Sequence, residues 1–173
     1  MEVFGNCGAF AALKSDGSVV TWGDANYGGD SSAVSGLLAG GVDTIIAACR
    51  AFAAIKSDGS VVTWGNSEFG GDSSEVNSEL TGNVEAIYSL NEGFTALTTS
   101  GSLITWGGDS TDSSSVSDQL ESGVLTVFAL IEDYTSFWPH RGDGAFVALK
   151  DDKSVVTWGD ELNGGDSSDI DFY

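Results

Sequence analysis

With 26 Asp and Glu against 6 Lys and Arg, this 173-residue chain has a formal charge of -20, and its apolar fraction of 41% is enough to fill an interior. That content excludes disorder as the main description. The lack of any Lys/Arg cluster argues against free nucleic acid as a partner.

The opening segment, Met1 to Cys7, has no basic stretch leading into an apolar core, so neither a secretory signal nor a transit peptide is expected and the compartment stays open. From Ala9 to Gly23 the chain reads Ala-Phe-Ala-Ala-Leu-Lys-Ser-Asp-Gly-Ser-Val-Val-Thr-Trp-Gly. The phrase returns, with changes, at Ala51 to Gly65, Gly93 to Gly107 and Ala145 to Gly159. Its tryptophans, Trp22, Trp64, Trp106 and Trp158, stand 42, 42 and 52 residues apart, and Cys7 and Cys49 are also 42 apart. The two cysteines therefore occupy one position in neighbouring repeats and are expected as buried thiols rather than a disulfide framework.

Within a repeat, Val42 to Cys49, Ala51 to Lys56 and Ser60 to Trp64 have the length and composition of three short strands. Asp58-Gly59, like Asp16-Gly17, supplies the positive backbone dihedral of a hairpin turn; Asp152-Lys153 in the fourth repeat predicts a weaker hairpin. A glycine link follows, Tyr27-Gly28-Gly29 or Phe69-Gly70-Gly71. Next come Asp30-Ser31-Ser32 or Asp72-Ser73-Ser74, good helix caps before Val34/Leu38 and Val76/Leu80 at i, i+4 spacing. Such a unit cannot bury its own apolar side, so units must stack. The expected fold is an all-β repeat protein: a partial or small β-propeller, or alternatively a curved β-solenoid, of about four units, each of three strands and a short helical turn. The boundaries fall at about 1–41, 42–83, 84–123 and 124–173, in one repeat domain.

Ala-Leu-Lys-Ser-Asp-Gly-Ser-Val-Val-Thr-Trp-Gly followed by Asp24-Ala25-Asn26-Tyr27-Gly28 resembles the regulator-of-chromosome-condensation repeat. That resemblance covers nearly the whole chain and implies propeller blades, which in full arrays of the family close as a ring of seven. Here the units are shorter, Gly-Asp-Ser-Ser replaces the usual Gln-Leu-Gly, and four units are present. The family's exchange activity toward small GTPases is not carried over, because only repeat landmarks match.

The longest apolar stretch, Val124 to Ile131, is far short of a membrane-spanning helix. The third interval is irregular: Trp106 to Val116 is two residues shorter than Trp64 to Val76, and Leu120 to Phe146 is twelve longer than Leu80 to Phe94. The gain lies at about 132–143 and holds Tyr134, Phe137, Trp138, His140 and Arg141, with the chain's one histidine and one of its two arginines. Aromatics and Arg inserted in a rigid scaffold point to partner recognition. One histidine without a supporting acid leaves no catalytic constellation, so no catalytic residue, no enzyme activity and no cofactor is expected.

Repeated Gly-Asp-Ser loops, including Gly108-Asp109-Ser110-Thr111-Asp112, are rich in oxygen, but each offers one or two carboxylates and reads better as a cap than as a calcium site. Asp166, Asp169 and Asp171 are the weak metal candidates. The expected role is thus a non-catalytic module binding a protein or larger assembly through the inserted loop or an open array edge. Two alternatives remain: a structural accessory subunit at the periphery of a larger complex such as a photosynthetic membrane assembly, and an acidic calcium-binding repeat.

Overall fold

The computed structural model describes residues 1–131, with Ile131 described in its backbone alone, and residues 144–170. Among the described residues, twelve strands form four three-stranded antiparallel sheets. The first comprises β1 (Glu2–Gly5), β2 (Ala9–Leu13) and β3 (Val19–Gly23); the second β4 (Val42–Ala47), β5 (Ala51–Lys56) and β6 (Val61–Gly65). The third comprises β7 (Val84–Ser89), β8 (Gly93–Thr98) and β9 (Leu103–Gly107); the fourth β10 (Val124–Ile131), β11 (Gly144–Lys150) and β12 (Val155–Gly159). This is the architecture of a partial β-propeller, one sheet for each copy of the repeated phrase.

Apart from Lys56, the middle strands of the second and third sheets are apolar or small and buried throughout because sheets pack on both of their faces. In β5 every residue from Ala51 to Ile55 is buried. Phe52 lies opposite Trp64 in the ladder and stacks on it at 5.3 Å between ring centroids. The same pair recurs as Phe10–Trp22, Phe94–Trp106 and Phe146–Trp158. On the other side of the first two sheets small residues, Ala9 and Ala11 or Ala51 and Ala53, let the next sheet approach closely, and its Phe–Trp pair fills the gap. Three clusters result, one between each successive pair of sheets. Each also receives a leucine from the segment joining the sheets: Leu38, Leu80 and Leu120 are 2%, 1% and 2% exposed.

Those joining segments are single 3-10 turns, such as Ala25–Tyr27 and Ser32–Val34, plus one short α-helix, α1 (Ser117–Leu120). The first turn is capped by Asp24, whose side chain accepts from the Asn26 N–H. The Asp-Ser-Ser segment that follows, expected as a helix cap, instead forms a tight turn of its own: Ser31, the residue at the N-cap of the next 3-10 turn, makes no side-chain cap bond. Asp30 Oδ1 accepts from the Ser32 N–H at 2.9 Å, and the Ser31 hydroxyl bonds Thr21 of β3 at 2.9 Å. In the third repeat the residues doing this are Asp112, Ser113 and Ser114, not the Gly108 to Asp112 stretch expected from wording alone. The two-residue deletion lies before them, in the glycine link.

At the far end of each sheet a tight turn joins the second and third strands: Asp16-Gly17 and Asp58-Gly59 in the first two, Ser100-Gly101 in the third and Asp152-Lys153 in the fourth. Gly17, Gly59 and Gly101 all have φ of +77°, and the fourth repeat places Lys153 at φ +72°, alone among described non-glycine residues in this region. A Cβ costs roughly 1 kcal/mol in this conformation. Lys153→Gly is therefore expected to raise stability by about 1 kcal/mol, seen as a higher urea midpoint with an unchanged slope; an unchanged or lowered midpoint would refute the strain. Where the turn begins with Asp, the Ser two residues on holds it: Ser18, Ser60 and Ser154 donate through N–H and hydroxyl to Asp16, Asp58 and Asp152. Those bonds, the hydroxyl's foremost, keep all three carboxyls below the ordinary aspartate range.

Candidate partner-binding site

The sheets have two rims. One carries the turns between second and third strands, where Val42, Val84 and Val124 donate a backbone N–H to the carbonyls of Gly17, Gly59 and Gly101 respectively, each in the preceding repeat. The other carries the turns between first and second strands: 6–9, 48–51 and 90–93, each closed by one backbone bond, as from the Ala48 N–H to the Ala51 carbonyl at 2.9 Å. In the fourth sheet the same place is taken by the inserted segment, since β10 ends at Ile131 and β11 begins at Gly144, directly paired with it. Tyr134, Phe137, Trp138, His140 and Arg141 lie outside the described residues, so the structure places their attachment points and not their side chains.

Along this rim the turns are bonded to one another. The Cys7 N–H donates to the Cys49 carbonyl at 3.3 Å, and the Cys49 N–H to Asn91 at 3.1 Å. Stacking puts equivalent positions side by side, and Cys7 and Cys49, with Cα atoms 5.1 Å apart, form a disulfide. They are not buried thiols: Cys7 is exposed and Cys49 half-buried. Beside them the Arg50 guanidinium sits over two rings, 5.1 Å from the centroid of Tyr27 and 4.7 Å from that of Phe69. Both rings belong to glycine links, one in the first repeat and one in the second, so Arg50 clamps two units. Sequence reading passed over Arg50, yet it was the only other arginine, and it stands where the first and third repeats have Gly8 and Glu92.

The glycine links also receive the tryptophans of the following repeat. Trp64 Nε1 donates to the Gly28 carbonyl and Trp106 Nε1 to Gly70, both at 3.1 Å. In the shortened third link the turn ends on Asp112 in extended conformation where the first two end on a left-handed glycine, and the buried Trp158 Nε1 finds no acceptor among the described residues. Trp158→Phe is therefore expected to destabilise the chain by about 1–3 kcal/mol less than Trp106→Phe. Chemical denaturation of the two variants side by side tests this, and equal losses would disprove it.

Asp166 is committed to its own turn, accepting from the Ser168 N–H at 2.8 Å, which holds its carboxyl low. Asp169 is exposed, and Asp171 lies outside the described residues. Among the described residues no three His, Cys, Asp or Glu side chains converge as a metal site. Nor is any helix there long and apolar enough to cross a membrane.

No protein-family model matches the sequence, and no curated protein matches it. Solved structures do. Yeast RCC1 (Prp20), in its complex with Kap60, superposes with a TM-score of 0.58 at 16% identity, over 92% of this chain and 43% of that one. The fold is that of an RCC1-type repeat propeller. Human WBSCR16 gives a TM-score of 0.55 at 16% identity, over 89% of this chain and 45% of its own. The ectodomain of the Physcomitrella patens receptor kinase CR4 gives 0.53 at 16% identity, over 92% and 38%. The chain thus spans less than half the length of these RCC1-type structures.

Proposed function

We propose that this chain is a non-catalytic protein-binding module, a single RCC1-type repeat domain of units 1–41, 42–83, 84–123 and 124–173. In this reading it contacts its partner through Tyr134, Phe137, Trp138, His140 and Arg141, and through the open edge of its array. One observation carries the proposal. The twelve residues 132–143 are inserted between two directly paired strands, at a rim where the other repeats have only short turns. The flanking strands β10 and β11 anchor both ends of the segment in one sheet, and Tyr, Trp and Arg are the side chains that most often anchor interfaces. The solved neighbours support the class: one was crystallised bound to Kap60, and Prp20p from Saccharomyces cerevisiae has been examined for binding to Gsp1p and histones.

The test is the triple variant Tyr134→Ala, Trp138→Ala and Arg141→Ala. It is expected to keep the wild-type far-UV dichroism and melting temperature while losing at least tenfold in affinity for the partner that the wild-type chain retains, measured by calorimetry on the purified pair. Unchanged affinity removes the insertion from the site.

A further inference from the structure

The geometry points to a head-to-tail contact between two copies of this chain, the outer face of one copy's fourth sheet covering the outer face of the other's first sheet. It deepens the open-edge half of the function proposed above and does not use the inserted segment.

The internal interfaces define what each face is built to meet. In the second sheet Ile45, Phe52, Val62 and Trp64 face the first sheet and are 2%, 0%, 6% and 4% exposed. Their counterparts in the first sheet, Val3, Phe10, Val20 and Trp22, are 52%, 46%, 43% and 46% exposed. The first sheet therefore keeps the complete apolar set, stacked pair included, with no sheet in front of it.

The fourth sheet shows the reverse. Ile46, Ala48 and Ile55 of the second sheet pack toward the third. At the equivalent places the fourth sheet has Phe128, Leu130 and Leu149, of which Phe128 and Leu130 are 60% and 56% exposed. Two apolar faces of this kind on one -20 chain are the two halves of an interface the molecule already makes three times internally.

The polar details match as well. In each of the first two internal interfaces a tryptophan Nε1 donates to the carbonyl of the left-handed glycine in the preceding link, Gly28 or Gly70. A Cβ on Gly28 would approach Phe52 to 2.9 Å and one on Gly70 would approach Phe94 to 2.7 Å, because the next sheet's phenylalanine lies against them. Gly164 has the same conformation, φ +93°, and nothing within 4 Å of that position. It is an empty socket of the kind Phe10 and Trp22 fit, and its carbonyl is the acceptor for the Trp22 indole.

Because the two faces differ, the contact is heterologous: it closes as a ring of two chains or continues into a longer assembly. Each copy is acidic, so assembly is expected to strengthen as salt screens the repulsion.

Native mass spectrometry and light scattering on the purified 173-residue chain test this. Wild type is expected at twice 17.8 kDa or a higher multiple. Trp22→Glu, which blocks the first sheet, and Phe128→Asp, which blocks the fourth, are each expected at the one-chain mass. Their equimolar mixture is expected to recover twice that mass, since one intact contact remains between them. Phe10→Glu and Leu130→Asp repeat the design with independent side chains, and far-UV dichroism confirms folding. A wild type that stays at 17.8 kDa overturns the proposal, as does a dimer that survives either blocking variant alone. The triple alanine variant of the inserted segment keeps the wild-type mass; loss of assembly there would place the contact in the loop and refute the head-to-tail pairing.

Discussion

Phe94→Ala is expected to lower the unfolding free energy by about 3–5 kcal/mol, whereas Phe10→Ala is expected to cost less than about 1 kcal/mol. Both phenylalanines stack on the tryptophan opposite them with ring centroids 5.4 Å apart. What differs is the neighbour. Phe94 is 0% exposed, packed against the second sheet with Gly70 beneath its ring, and removing it leaves a cavity between two units that the rigid ladder cannot collapse. Phe10 is 46% exposed, so its removal opens no enclosed space. Made in the Phe128→Asp background, where each chain stands alone, the pair separates interface burial from stacking. Urea midpoints are the measurement. Equal losses at the two sites would mean that the stacked pair, and not the packing of sheet on sheet, stabilises each repeat.

The second large effect is expected on opening the Cys7–Cys49 bridge. It closes a loop with a sequence separation of 42 residues, for which chain entropy alone gives about 4 kcal/mol. The Cys7→Ser, Cys49→Ser double variant, or the wild type under reductant, should melt about 10 °C lower. Loss should centre on the first sheet. The bridge ties the β1–β2 turn to the second repeat, and the same two repeats are also joined by the Cys7–Cys49, Val42–Gly17 and Trp64–Gly28 hydrogen bonds, the Arg50 clamp and the core cluster between their sheets. An unchanged melting temperature with both thiols freed would show that these contacts suffice without the bridge.

Much of the local structure was legible because it depends on neighbours in sequence. The Asp-Gly turns and the strands on either side of them follow from backbone preference and stand where periodicity put them, and the Asp-Ser-Ser segments of the first, second and fourth repeats hold their own backbone by short-range hydrogen bonds. The weak point at Asp152-Lys153 was legible for the same reason, and Lys153 does adopt the strained dihedral. The reading of the cysteines failed on a matter of space. A common repeat position looks unremarkable along the chain, but in a stacked array equivalent positions are the ones that meet, so the 42-residue spacing itself points to the bridge. Arg50 was missed because its two ring partners lie 23 and 19 residues away and belong to different units. In the third repeat wording misled: Gly108-Asp109-Ser110 copies the Gly-Asp-Ser phrase, while the hydrogen bonds select Asp112-Ser113-Ser114.

The sequence by itself determined the repeat, its three strands, its turns and the number of sheets, because each unit's pattern is written within about 40 residues and repeated. Only the tertiary structure decided which faces are covered and which are open. Phe10, Phe52 and Phe94 stand in the same local phrase, and no rule of local sequence distinguishes them; one is half exposed and two are fully buried because a preceding sheet stands in front of the second and third and not the first. Burial belongs to the stack, and the stack exists only once the units have come together.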